Sequence, residues 1–287
     1  MKLIDMHSHW GTERGYVLRT AAELAQQKKT WNSETKYVTD EEMANYFRAS
    51  KAQVILDLGF TKFAPIQDIK PLHDYSFKMQ RKYSDAILGN WFHIDPMFHG
   101  MQEGLAELRR CIDSKAGFIG LAVNGSGSVP ASDSVYDDYY KLCIEASIPA
   151  LIFVGTTGLG AGLPGGNGIL LDSCHPRHLD MVAARNPKLR IVAARPGWPW
   201  QTETIAVLMH KRNIWYELHG WSPKYFAPDL KHDIARRLQD RIMFGGDYPL
   251  YTFERLTTEW RAEGYSEAIL EKVFHKNAEA FLSGVDR

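Results

Sequence analysis

The sequence predicts an α/β protein built as one (β/α)8 barrel, a TIM barrel, in a single domain over residues 1–287. Three observations carry that prediction. Eight short runs of aliphatic, β-branched and aromatic residues alternate with amphipathic stretches, the pattern of parallel βαβ units. The length, 287 residues, matches the roughly 250 that such a barrel needs. Residues able to do chemistry stand where the first and last runs stop, and only closure of a barrel brings those two ends together; an open doubly wound sheet would keep them apart.

The runs come in order at 3–6, 54–58, 86–94, 118–123, 150–154, 189–194, 214–218 and 242–245. Each is short and bounded by Gly, Pro, Asn or Asp, as buried parallel strands are. The stretch 40–50 starts behind Thr39, with Glu42 three residues later, which reads as a capping box. Helical patterns follow at 74–83, 101–114, 132–147, 178–186, 201–211, 229–239 and 253–263, and 266–282 closes the chain behind Ser266 as cap. Two irregular segments interrupt the alternation: 10–39, with a helical patch at 21–27, and the Gly-rich 155–168. Both follow strand ends, where a barrel keeps its active-site loops. The Gly-rich segment has neither GxxxxGK[ST] nor a GxGxxG leading into a helix, so it is read as a loop over the site rather than a phosphate cradle.

Composition narrows the function classes. Lys+Arg and Asp+Glu balance at 34 each, with no charge run, which argues against nucleic acid and against a polybasic membrane anchor. No apolar stretch reaches the ~18 residues of a membrane span, and residues 1–7 lack the apolar core of a signal peptide. Cys111, Cys143 and Cys174 are odd in number and widely spaced, and none lies in a CxxC. Reduced thiols in a cytoplasmic protein are the expectation. The expected partner is a small-molecule substrate.

The first strand ends His7-Ser8-His9. Residues two apart in a strand point the same way, so two imidazoles face one spot in the barrel mouth, which suits zinc or a similar divalent ion. The last strand runs into Phe244-Gly245-Gly246-Asp247-Tyr248-Pro249. Once the barrel closes, Asp247 reaches the same spot and can ligate a metal or take a proton from water.

With HxH on the first strand, this ending to the eighth, and the stretches Pro196-Gly197-Trp198-Pro199-Trp200 and Gly220-Trp221-Ser222-Pro223, nearly the whole chain resembles the amidohydrolase-related (amidohydrolase 2) family. The resemblance is to the aminocarboxymuconate-semialdehyde decarboxylase-like branch of the amidohydrolase superfamily. It implies one divalent metal, zinc or manganese, and hydrolysis or non-oxidative decarboxylation of small, often aromatic, carboxylated substrates. It implies His7, His9 and Asp247 as metal ligands. A homodimer is an assembly the family analogy allows.

Two positions depart from the family pattern. Phe153 stands where the family has a fifth-strand histidine ligand, and a phenyl ring cannot ligate. Arg195 stands where it has a sixth-strand catalytic histidine, and a guanidinium cannot be a general base at neutral pH. The choice between a metal site and a metal-free, lactonase-like site therefore stays open. In either case Arg195 is the expected clamp for a substrate carboxylate or oxyanion. His219, ending the seventh strand with Glu217 on the same face, is a candidate replacement ligand or base. Trp10, Trp198 and Trp221 follow strand ends and are candidate pocket walls. His93 reads as structural. Hydrolysis with Asp247 as base is the leading expectation. Decarboxylation, with Asp247 or His219 as acid, is the alternative, and a non-catalytic binding barrel is a third.

Overall fold

A computed structural model of the chain describes residues 2–16, 21–31 and 36–284. The first irregular segment predicted from sequence falls partly outside the described residues, at 17–20 and 32–35.

Eight strands form one parallel sheet in sequence order: β1 Leu3–His9, β2 Ala52–Asp57, β3 Ile87–Phe92, β4 Phe118–Val123, β5 Ala150–Phe153, β6 Ile191–Ala194, β7 Ile214–Glu217 and β8 Ile242–Met243. The helices outside it are α1 Ala21–Trp31, α2 Asp40–Ala49, α3 Ile66–Lys82, α4 Pro96–His99, α5 Met101–Asp113, α6 Asp137–Glu145, α7 Pro176–Arg185, α8 Gln201–His210, α9 Pro228–Ile234, α10 Phe253–Ala262, α11 Glu267–Glu271 and α12 Asn277–Leu282. The TIM-barrel expectation holds. The first and last strands meet through backbone hydrogen bonds, Met6 N to Phe244 O at 2.9 Å and Asp247 N to His7 O at 2.9 Å. The Asp5 carboxylate reinforces this seam by accepting the N–H of Gly246 at 2.7 Å and of His7 at 3.0 Å.

Strand alternation sorts the apolar side chains into two cores. Ile55, Phe118, Leu151, Phe153, Val192, Ala194 and Met243 fill the barrel, joined by Phe281 and Leu282 of α12. Val54, Leu56, Leu121, Ile152, Ala193 and Phe244 belong to the second core, shared with the helices. At ~25 cal/mol per Å² of apolar surface, these two cores supply the main stabilisation of the fold.

The first strand breaks the alternation where it matters. Ile4 and Met6 belong to the barrel interior, so uninterrupted alternation would aim His7 and His9 outward. The register against β2 shifts between Asp5 and Ser8. That irregularity re-aims both imidazoles into the mouth, a common use of a bulge.

The helices depart from the sequence reading in three places. α3 begins at Ile66, although Pro71 lies inside it. The lost backbone bond is offset by a buried face that includes Ile69, His73 and Phe77, a tertiary override of a local breaker. The continuous closing helix is instead α11, a π-turn at 272–276 and α12. α6 and α9 are shorter than the amphipathic patterns around them, and a 3-10 turn at 134–136 leads into α6. The Thr39–Glu42 capping box is present. No helix among the described residues is long and apolar enough to cross a membrane.

Candidate active site

At the strand C-termini a cavity of about 660 Å³ opens, lined among others by His9, Asp57, Lys62, His93, Phe153, Arg195, His219, Trp221 and Asp247. His7 lies beneath it, fully buried. Its Nε2 is 3.4 Å from Asp57 Oδ2 and its Nδ1 is 3.3 Å from Glu217 Oε1, yet neither ring nitrogen makes a hydrogen bond. Its ring stacks on His219, centroids 3.6 Å apart and planes 8° from parallel. Burial, then the adjacent His219, lower the His7 pKa, so the ring is neutral and able to ligate.

His9 bridges two carboxylates, with Nδ1 3.6 Å from Asp57 Oδ1 and Nε2 3.3 Å from Asp247 Oδ1. Burial lowers its pKa, but the hydrogen bond with Asp247 and the charge of Asp57 outweigh that and raise it. Burial likewise pushes the Asp247 carboxyl up, while the hydrogen bond to His9 and the nearby histidines bring it below the usual range. Asp247 is therefore ionised. Asp57 accepts from His93 Nε2 at 2.9 Å, and despite burial its histidine neighbours hold it well below the usual carboxylate range.

On the opposite side His219 Nδ1 bonds Glu217 Oε1 at 2.7 Å, and the His219 backbone N–H donates to Glu217 Oε2 at 2.9 Å. Burial opposes ionisation of Glu217, but His219 and His7 bring its pKa down to about 2. Gly245 makes room for this pair, since a side chain there would collide with the Glu217 carboxylate. Arg195 Nε–H donates to His219 Nε2 at 3.4 Å and its NH1 to Thr156 O at 3.0 Å; the guanidinium lies 4.9 Å over the Phe153 ring. The network thus assigns His219 a proton on Nδ1 and a lone pair on Nε2. Arg195 and Asp247, following β6 and β8, hold φ of 74° and 51°, uncommon for residues other than glycine. Strain of this kind collects at sites that aim a side chain.

The structure places the sequence candidates unevenly. His7, His9, Arg195, His219 and Asp247 converge, and Phe153 occupies the fifth-strand position with its ring nearly perpendicular to those of His7 and His219. Asp57, unnoticed in the sequence, joins His7 and His9 in a compact group of potential ligand atoms within 4.8 Å of one another. Asp247 belongs to no such three-residue group among the described residues; it faces His9 from the far side. A second compact group is His7, Glu217 and His219. His93 lies in the cavity wall rather than serving only the framework. Of the three tryptophans only Trp221 lines the cavity. Trp10 is fully buried in the helix-side core, its Nε1 bonded to Asn90 Oδ1 at 3.1 Å, so it is a packing residue and not a pocket wall. Trp198 is 49% exposed and packs beside Trp221, outside the lining. Asp57 and Lys62 had one available signal: a charged residue at, or just past, the end of an apolar strand.

A parallel barrel with histidines, carboxylates and an arginine gathered at its C-terminal mouth defines the class of TIM-barrel proteins with a polar site at the catalytic face. Within that class the chain belongs to the amidohydrolase family, whose sequence profile matches residues 4–283. A search among curated proteins found no match. Solved structures share the fold. An uncharacterised TIM-barrel protein from Bordetella bronchiseptica is 18% identical, with a TM-score of 0.74 and 100% of each chain covered. Dihydroxybenzoic acid decarboxylase from Polaromonas, with bound manganese and the inhibitor 2-nitroresorcinol, is 14% identical, with a TM-score of 0.71 over 98% of this chain and 97% of that one. A probable 2-pyrone-4,6-dicarboxylic acid hydrolase from Acinetobacter baumannii, with citric acid bound, is 12% identical, with a TM-score of 0.64 over 99% of this chain and 100% of that one.

Proposed function

We propose that the chain is a hydrolase of a small carboxylated substrate, cyclic or aromatic, with Asp247 as the general base and Arg195 as the anchor for a substrate carboxylate or the developing oxyanion. The observation that carries this reading is the protonation pattern of the cavity. Asp247 is an ionised carboxylate at the mouth, and His219 presents a bare Nε2 beside Arg195. Both are in the form that accepts a proton. Hydrolysis needs a proton taken from water and a cation for the charge that builds on oxygen. Decarboxylation of an aromatic acid needs a proton delivered to a ring carbon. The one observation favouring that second reading is His9, whose pKa is raised by its hydrogen bond with Asp247 and by the charge of Asp57.

The residues fit a divalent cation. His7 is buried with two ring nitrogens outside any hydrogen bond, and imidazole with carboxylate is a donor set for zinc or manganese. His7, His9 and Asp57 would hold it, with Glu217 and His219 behind His7. When bound, such an ion supplies Lewis-acid polarisation of the substrate carbonyl and acidifies water. The chain's own groups do the rest: Asp247 takes the proton, Glu217 fixes the His219 ring, and Arg195 orients the anion.

A panel of lactones, esters and amides of small carboxylic acids, assayed by acid release, tests the proposal beside aromatic acids assayed for carbon dioxide. Turnover of a lactone, ester or amide supports hydrolysis. Carbon dioxide release without acid formation from any hydrolysable substrate overturns it in favour of the carboxy-lyase.

A further inference from the structure

Lys62 is a buried cation that the proposed reaction does not use. It sits in the 3-10 turn Gly59–Phe63 that follows β2, is 2% exposed, and lines the same cavity as Arg195 and Asp247. Its Nζ donates to the carbonyl oxygens of Asn124 and Ser126, each at 2.6 Å. An ammonium has three donors, and these two bonds account for two of them. Its Nζ also lies 4.8 Å over the Phe63 ring, but among the described residues no carboxylate forms an ion pair with it. Burial lowers its pKa to about 8, opposed by the charge of Asp95, so the group still carries its proton at neutral pH.

The rest of the site sharpens the point. Arg195, too, has no ion pair among the described residues. The acidic groups are all engaged: Asp57 with His93, His7 and His9, Asp247 with His9, and Glu217 with His219. Three cations thus line one cavity: Arg255 is paired with Glu259, while Lys62 and Arg195 face anions that are already spoken for. A desolvated charge is costly unless paired. The carbonyl bonds do fasten the 124–126 loop, but a neutral amide would fasten it without that cost.

We propose that Lys62 anchors a second anion subsite, so that the substrate carries two carboxylates, one held by Arg195 and the other by Lys62. This rests on the reading of Arg195 as a carboxylate anchor. It adds a specificity-determining residue and narrows the substrate class to small dicarboxylates.

The test is binding, measured by isothermal titration calorimetry with matched acids: propionate and malonate, butyrate and succinate, valerate and glutarate, benzoate and isophthalate. The proteins are wild type, Lys62→Met and Lys62→Gln, the last retaining N–H donors for the two carbonyls without the charge. In wild type at least one dicarboxylate binds about tenfold or more tighter than its monocarboxylate partner, as a charge-assisted hydrogen bond gives. Both variants lose that preference while keeping monocarboxylate affinity. Absence of binding by every dicarboxylate, absence of preference in wild type, or its survival in a folded Lys62→Gln protein overturns the subsite and leaves Lys62 as a fastener of the loop. No turnover is involved, so failure of the hydrolysis assays and failure of this proposal are separate results.

Discussion

Asp247 combines a chemical role with a backbone conformation that few residues tolerate. At φ 51° an aspartate or asparagine sits with less strain than most other residues. Asp247→Asn therefore preserves shape while removing the carboxylate charge that takes the proton and raises the His9 pKa. Its expected effect is a fall in kcat of about 10²–10⁴-fold, the usual worth of a general base, with the circular dichroism spectrum unchanged. Activity within a few-fold of wild type would remove Asp247 from the mechanism. At this scale the sequence was legible wherever identity alone decides the chemistry. Phe153 cannot ligate and Arg195 cannot be a base, whatever surrounds them. It was not legible for tryptophans. Trp10 and Trp221 both follow strand ends, yet one is buried beside Asn90 and Tyr75 and the other lines the cavity. Nothing in a single sequence distinguishes a ring directed into the core from one directed into a pocket.

Between α3 and α5 a second polar cluster is held entirely by helix packing. His73 Nδ1 meets Glu107 Oε1 at 2.6 Å, Arg110 Nε donates to Glu107 Oε2 at 2.8 Å, and Cys111 packs alongside. Burial pushes the Glu107 carboxyl up, but the hydrogen bonds of His73 and Arg110 bring its pKa down to about 2 from 4.5. A depressed carboxylate pKa means the unfolded chain binds the proton first. The stabilisation is therefore complete above pH 4.5 and is lost as pH falls toward 2. Glu107→Gln should cost about 3 kcal/mol at pH 7, as breaking a buried pair does. In urea melts the gap between variant and wild type should narrow below pH 4.5. A gap that stays constant down to pH 3 would show that packing, not charge, holds these helices. The elements themselves were largely visible in the sequence, because apolar periodicity is a local property. The early start of α3 was hidden by Pro71, whose cost is met only by contacts distant in sequence. The register shift in β1 was hidden too, since a period of two carries no sign of a bulge.

At the scale of the whole barrel, the site depends on closure. His7 from β1 touches Asp57 from β2 and Glu217 from β7, while His9 reaches Asp247 beyond β8. The closure could be anticipated from where polar residues fall at the two ends of the chain. The contribution of Asp57 could not, because it lies at the end of an otherwise apolar strand and its meaning comes from His7 and His9 on β1 and from His93 just past β3. A cation held by His7, His9 and Asp57 would tie the first two strands together and bind the folded state alone. Linkage then sets the size of the effect: at a hundred times Kd, stability rises by about 2.7 kcal/mol. For a chain of 287 residues that corresponds to roughly 4–5 °C in Tm. Protein dialysed against chelator should regain this increment on adding zinc or manganese, followed by differential scanning calorimetry. Asp57→Asn should lose most of the increment, since an amide oxygen carries no charge for the ion, and His7→Ala should lose all of it. Asp247→Asn should keep most of it, because Asp247 faces His9 from outside the compact donor group. The reverse ranking, with Asp247→Asn abolishing the shift and Asp57→Asn sparing it, would return the ion to His7, His9 and Asp247 and leave the proton transfer to His219.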